Sequence, residues 1–219
     1  MEIISEYAGY KEQAGKHDVI YIDFSEMPRE CCSYREYIDR MKDKYTIWKE
    51  NFIMKTRAVR LHGVMDLRLE EIELPEIKDG EILACIISDS ICMSSYKAAS
   101  QGAAHKRVPD DVAENPVIIG HEFCGKIVKV GAKWADKFKA GDKFVIQPAI
   151  NYKGSLASPG YSYKYCGGAS EYVIIPEEVM LMDCLLPYNG DAFFYGSLSE
   201  PMSCIIGGYH ACYHTKPGV

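Results

Sequence analysis

The chain has 219 residues, 47% hydrophobic and 26% charged, the composition of an ordinary globular protein with room for one large domain or two small ones. Its formal net charge of -6 argues against nucleic acid or an anionic membrane as the main partner. No apolar run reaches the length of a membrane span, and residues 1–10 lack the basic-then-apolar pattern of a secretion signal. The nine scattered cysteines therefore read as reduced thiols of a cytoplasmic protein.

Residues 1–53 and 54–219 differ in texture. In the first part, residues 18–24 read as a buried strand. After Pro28, Tyr34, Tyr37, Ile38, Met41, Tyr45, Trp48 and Phe52 recur at three- and four-residue intervals, with charges mainly on the other side. That spacing predicts an amphipathic helix. The adjacent Cys31 and Cys32 read as structural thiols, since a disulfide between neighbours is strained.

From Lys55 the pattern changes to short strands separated by turn signals. Residues 56–61 and 67–72 alternate, with Gly63 between them. Further strands are expected at 81–87, 116–119, 125–131, 141–146 and 170–176. Many short strands at this spacing suggest a barrel or a folded-over sheet. Residues 152–168, rich in Gly, Ser, Pro and Tyr, read as a long loop, a feature usually kept for function. A helix opens at Ser199-Glu200-Pro201 and carries Met202, Ile205, Ile206, Tyr209 and Tyr213 at helical spacing.

The chemistry concentrates in Cys92, the triplet Gly120-His121-Glu122, and Glu200. Alone, Cys92 reads as a small buried hydrophobe, and a His-Glu pair as a satisfied histidine beside a surface carboxylate. Together, a thiolate, an imidazole and carboxylates suit a zinc ion with an open coordination position, as in catalytic sites. Adjacent residues of an extended strand point to opposite faces, so His121 and Glu122 share one ion only if the backbone bends. Gly120 permits that bend. Otherwise Glu122 stands behind the ligands and Glu200 is the nearer carboxylate. Cys92 and His121 are the expected ligands, joined by at least one of Glu122 and Glu200.

Residues 116–125, Pro-Val-Ile-Ile-Gly-His-Glu-Phe-Cys-Gly, followed by Gly131, resemble the zinc-site signature of medium-chain, zinc-dependent alcohol and polyol dehydrogenases. Other stretches match that family in order. Residues 59–72 resemble its first hairpin, and Asp89-Ser90-Ile91-Cys92-Met93-Ser94 its first-ligand turn. Gly141-Asp142-Lys143-Phe144-Val145 and residues 167–176 resemble two later strands. Ser199-Glu200-Pro201-Met202-Ser203-Cys204 resembles the Glu-Pro-Leu helix start of the sorbitol dehydrogenase branch. The similarity covers about residues 55–219. Residues 92–97 with Gly160-Tyr161-Ser162 are most similar to the L-sorbose 1-phosphate reductase group of that branch.

The resemblance implies a mainly β fold with some α, a GroES-like, partly open β-barrel catalytic domain over residues 54–219. It implies interconversion of a secondary alcohol of a polyol or sugar phosphate and its ketone, with NAD(P). It further implies one catalytic zinc held by Cys92, His121 and either Glu122 or Glu200, with Glu122 and Ser94 as catalytic residues. Ser94 matches the hydroxyl that relays the alcohol proton, and it also reads as a plain turn or helix-cap serine. The resemblance also implies a homo-oligomeric full-length enzyme, because in this family the nucleotide-binding domain usually makes the dimer contact.

Three departures qualify this. Only Cys166 lies where the family's four-cysteine lobe would be, so no structural zinc is expected. Residues 1–53 have no recognised counterpart. The nucleotide-binding Rossmann domain is expected to be missing, because Gly167-Gly168 and Gly207-Gly208 lack the strand-turn-helix setting of a pyrophosphate site. The chain alone is therefore expected to bind zinc without turning over. Lys97, Lys106 and Arg107 are candidate anchors for a substrate phosphate through their charge, each also readable as a solvated surface residue. Two other functional readings are a non-enzymatic GroES-like zinc-binding or protein-interaction module, and thiol redox chemistry at Cys31-Cys32.

Overall fold

Alternation sets the first strand. In β1 (Lys55–Gly63), Thr56, Ala58 and Arg60 are buried while Lys55 and Arg57 face solvent, the period-two pattern of a half-buried sheet. The computed structural model describes residues 54–213, which lie in a compact unit running from Ile53 to Val219. The strand and amphipathic helix expected in residues 1–53, with Cys31 and Cys32, lie outside the described residues.

The remaining elements are β2 (Asp66–Glu73), β3 (Ile82–Asp89), α1 (Met93–Gln101), β4 (Val117–Ile118), β5 (Phe123–Val130), β6 (Lys143–Ile146), β7 (Tyr172–Ile175), α2 (Glu177–Leu181), β8 (Leu185–Pro187), α3 (Phe193–Ser197) and α4 (Ser199–Tyr213). Strands pair antiparallel in two sheets, ordered β2-β1-β4 and β7-β3-β5-β6-β8. The sheets are stitched together where β1 meets the chain entering β7. Val59 N donates to Ala169 O at 2.8 Å, Glu171 N donates to Arg57 O at 3.1 Å, and Ala58 bridges Ser170. The result is the expected partly open β-barrel. Among the described residues, no helix is long and apolar enough to cross a membrane.

The main core fills the space inside the larger sheet. Phe123 and Phe144 are fully buried and meet edge-to-face at 6.3 Å, the geometry that aromatic quadrupoles favour. Ile82, Ile127, Val173, Ile175 and Met180 close around them. A second cluster joins Leu61, Ala98, Ala99, Val117 and Tyr161, and so fixes α1 against β1. This smaller cluster matters for the site, because Tyr161 carries a hydroxyl out of it.

Some expectations needed correction. The strand expected at 125–131 begins at Phe123, so ordered sheet starts directly after Glu122. The strand expected at 116–119 keeps only two paired residues, Val117 and Ile118. β8 has no sequence signal, since three residues ending in proline carry no alternation. Residues 152–168 contain a short turn at Tyr152–Gly154 and an isolated bridge between Tyr163 and Cys166. This segment is tied down by a buried bond from Ser158 Oγ to Pro148 O at 2.6 Å. The helix expected from Ser199 is α4, on which Met202, Ile205, Ile206 and Tyr209 are exposed among the described residues.

Candidate functional site

Three chain segments converge at one end of the larger sheet. The first leaves β3 at Asp89 and passes through Ser90 to Cys92, which caps α1 with extended backbone angles and no side-chain cap bond. The second is Gly120-His121-Glu122, just before β5. The third is residues 160–168 of the long loop, packed against the second by Gly168 N donating to Gly120 O at 2.7 Å.

Gly120 shows why the triplet bends. Its φ is +89°, a region costly for side-chain-bearing residues, and a Cβ there would run into Asp89 Oδ2 and, at 2.8 Å, Ala169 N. Asp89 holds the bend from below, accepting from Glu122 N at 3.2 Å through Oδ1. Burial pushes the Asp89 carboxyl up to about 7, and the negative charge of Glu122 adds to that shift.

The bend brings the two neighbours together. His121 Nε2 lies 3.8 Å from Glu122 Oε1, and both side chains are buried. With Cys92 they form a cluster in which one donor atom from each lies within 4.8 Å of the others. Glu122 is further held by Ser90 Oγ, which donates to its Oε2. Ser90 Oγ also reaches Ser197 O at 3.1 Å, and Ser88 Oγ meets Ser197 Oγ at 2.9 Å. These serines fasten α3 to β3, and α4 follows with Glu200 in its first turn.

Glu200 does not join the three-residue cluster. Its carboxyl instead shares a hydrogen bond with that of Glu122. Burial raises its pKa and the bond to Glu122 raises it further, while Cys204, 3.5 Å away, opposes. The geometry thus gives the neighbours of Gly120 different places from those of an ordinary strand: His121 and Glu122 reach one point together, and Glu200 lies beside Glu122.

Ser94 is not a helix cap. It lies one residue inside α1, where Oγ donates to Cys92 Sγ at 2.9 Å and sits 3.2 Å from His121 Nε2. Tyr161 OH donates to Ser94 Oγ at 2.8 Å and lies 3.2 Å from the same imidazole nitrogen. Burial pushes the Tyr161 phenol up to about 12, so it remains a neutral donor. Ser95 Oγ is 3.3 Å from His121 Nδ1. Burial lowers the His121 pKa, Arg107 lowers it too, and Glu122 opposes, leaving a neutral ring with a lone pair to offer.

Four residues now stand beside the expected set: Asp89, Ser90, Ser95 and Tyr161. The serines were near Cys92 in sequence, but nothing local marks them as partners of residues 26 and 32 positions later. Tyr161 was grouped with residues 92–97 by resemblance and not as a site residue, and the fold places its hydroxyl at the cluster. Arg107, one of the candidate anchors, places its guanidinium carbon 5.9 Å from the Tyr161 ring centre, whereas Lys97 and Lys106 are exposed. Cys166 is fully buried in the main core.

Comparison with known proteins agrees with this architecture. Residues 78–184 match the alcohol dehydrogenase GroES-like domain. The chain is 53% identical over 163 residues to L-sorbose 1-phosphate reductase of Klebsiella pneumoniae, covering 74% of this chain and 40% of that protein. It is 50% identical over 161 residues to mannitol-1-phosphate 5-dehydrogenase of Aliivibrio fischeri, covering 74% and 38%. Among solved structures, it resembles 2R,3R-butanediol dehydrogenase of Bacillus subtilis with a TM-score of 0.53 and 28% identity, covering 67% of this chain and 44% of that one. An NADP-bound zinc-binding dehydrogenase of Sinorhizobium meliloti shares the fold, with a TM-score of 0.59 and 23% identity over 72% and 46% of the two chains. The chain therefore spans less than half the length of these relatives. With its GroES-like domain and its place beside these relatives, the chain belongs to the zinc-dependent medium-chain alcohol and polyol dehydrogenase family.

Proposed function

We propose that this chain supplies the metal and substrate half of a zinc-dependent oxidoreductase that interconverts a secondary alcohol of a polyol or sugar phosphate and its ketone with NAD(P). The observation that carries the reading is the convergence of Cys92, His121 and Glu122 on one point. Sulfur, nitrogen and oxygen donors fit zinc, and three protein ligands leave the open position a substrate oxygen needs. The carboxyl of Glu200, beside that of Glu122, would help hold that carboxylate in place.

Zinc at this point supplies Lewis acidity for the substrate oxygen. Everything else falls to the chain's own groups. Cys92 and Glu122 offer negative donors, and neutral His121 turns Nε2 toward the cluster while Ser95 faces Nδ1. Ser94 keeps a hydroxyl proton beside the donor atoms, and Tyr161 donates to that hydroxyl, so the pair can pass a proton toward or away from the reacting oxygen. Burial of His121 and Glu122 keeps bulk water from competing. Hydride carriage falls to NAD(P), for which no residue of the described fold is assigned.

Elemental analysis of protein purified without chelators should find one zinc per chain, and Cys92→Ala should lose it. A spectrophotometric assay of the isolated chain should show no NAD(P)-linked polyol oxidation. Zinc-free wild-type protein would remove the metal reading and favour a binding module. Turnover by the isolated chain would refute the division of labour.

A further inference from the structure

The site has two electrically different ends. Cys92, Glu122 and Glu200 make one of them acidic. At the other, the Tyr161 ring is flanked by His105, stacked at 5.7 Å and 13°, and by the guanidinium of Arg107. Tyr161 spans both ends, since its hydroxyl lies beside His121. The charges that act on His105 are all cations: Lys97, Arg107 and Lys106. His105 Nδ1 accepts from Arg107 N at 3.3 Å, so the neutral ring carries its proton on Nε2. That atom has no partner among the described residues.

Arg107 is pinned rather than free. Its Nη1 donates to Leu156 O at 2.9 Å, and the rest of the fork has no partner among the described residues. A guanidinium held at one corner presents its remaining N–H groups in a fixed plane, the arrangement that suits phosphate. Lys97 lies three residues after Ser94 in α1, so both occupy neighbouring positions on one helix face.

We propose that Arg107, with the Nε2–H of His105, forms the subsite that takes the phosphate of a sugar-phosphate substrate whose reacting oxygen faces Cys92, His121 and Glu122. Lys97 adds charge at the rim. The inference rests on the substrate class proposed above and assigns it a recognition residue. An unphosphorylated polyol would leave this cationic end unmatched.

The test is calorimetric titration of the zinc-loaded chain with L-sorbose 1-phosphate, L-sorbose and inorganic phosphate. The phosphorylated sugar should bind about tenfold more tightly than the free sugar, the margin of one charge-assisted anchor. Arg107→Gln should remove most of that margin with zinc content unchanged. Arg107→Lys should recover part of it, because an ammonium keeps the charge and loses the fork. Lys97→Gln, a change at an exposed position that spares the fold, should trim the margin at low salt only. Equal binding of sugar and sugar phosphate, or a full margin in Arg107→Gln, would overturn the subsite. The same titrations on metal-free protein separate the two claims, because a phosphate margin that survives without zinc upholds the subsite even if the metal reading fails.

Discussion

Glu122 and Phe123 are neighbours in sequence, yet they belong to opposite regimes. Phe123 enters the main core, where Phe144, Ile82 and Val173 surround it and no polar partner is needed. Glu122 enters a buried polar cluster, where Ser90, Asp89, His121 and Glu200 each satisfy or oppose part of it. The first regime is governed by area and shape, and a substitution there is felt through the volume it empties. The second is governed by pairing, and a change of one atom leaves a buried polar group without its partner. Stability and function should therefore respond to different substitutions across a single peptide bond.

The largest effect should come from the core side. Phe123→Ala should cost about 3–5 kcal/mol in urea denaturation of the metal-free protein, because it opens a cavity beside Phe144. A loss below about 1 kcal/mol would show the core to be looser than its packing implies. Gly120→Ala comes next and strikes both regimes. A positive φ and a Cβ crowding Asp89 should cost about 1–3 kcal/mol and also abolish tight zinc binding, read by competition with a chromophoric chelator. Retained zinc affinity in that variant would separate the bend from the metal cluster.

Ser95→Ala should leave the denaturation midpoint in place and weaken zinc binding about tenfold, as expected when the hydrogen bond orienting a ligand imidazole is removed. Unchanged affinity would mean that packing against Tyr161, 4.7 Å away ring to ring, is enough to orient His121. The smallest effect should be that of Glu171→Gln. Its ion pair with Arg57 is exposed, so the midpoint should not move measurably even though the pair links the two sheets. A clear shift would show that the junction between β1 and β7 depends on side chains as well as on its backbone bonds.

What was legible in the sequence follows the same division. The strands of the core could be read because alternation is local: Thr56, Ala58 and Arg60 announce β1 within six residues. β8 could not, because three residues hold no period. At the site, Cys92 and His121 were legible from residue type, and Gly120 signalled the bend. Which of Glu122 and Glu200 lies with Cys92 and His121 was not, because it depends on how α3, fastened by Ser88, Ser90 and Ser197, delivers the start of α4. The hydrogen bond from Tyr161 to Ser94 was not legible either, since 67 residues separate them and the resemblance that grouped the two stretches names no contact. Long-range convergence leaves no periodic trace in a single chain.

The central claim is that Cys92, His121 and Glu122 hold one zinc ion with a position left open. X-ray absorption at the zinc edge of the purified chain tests it most directly. The account predicts one sulfur at about 2.3 Å with nitrogen and oxygen donors at about 2.0–2.2 Å, and loss of the sulfur shell in Cys92→Ser. A shell of several sulfurs, or a spectrum unchanged by Cys92→Ser, would contradict it.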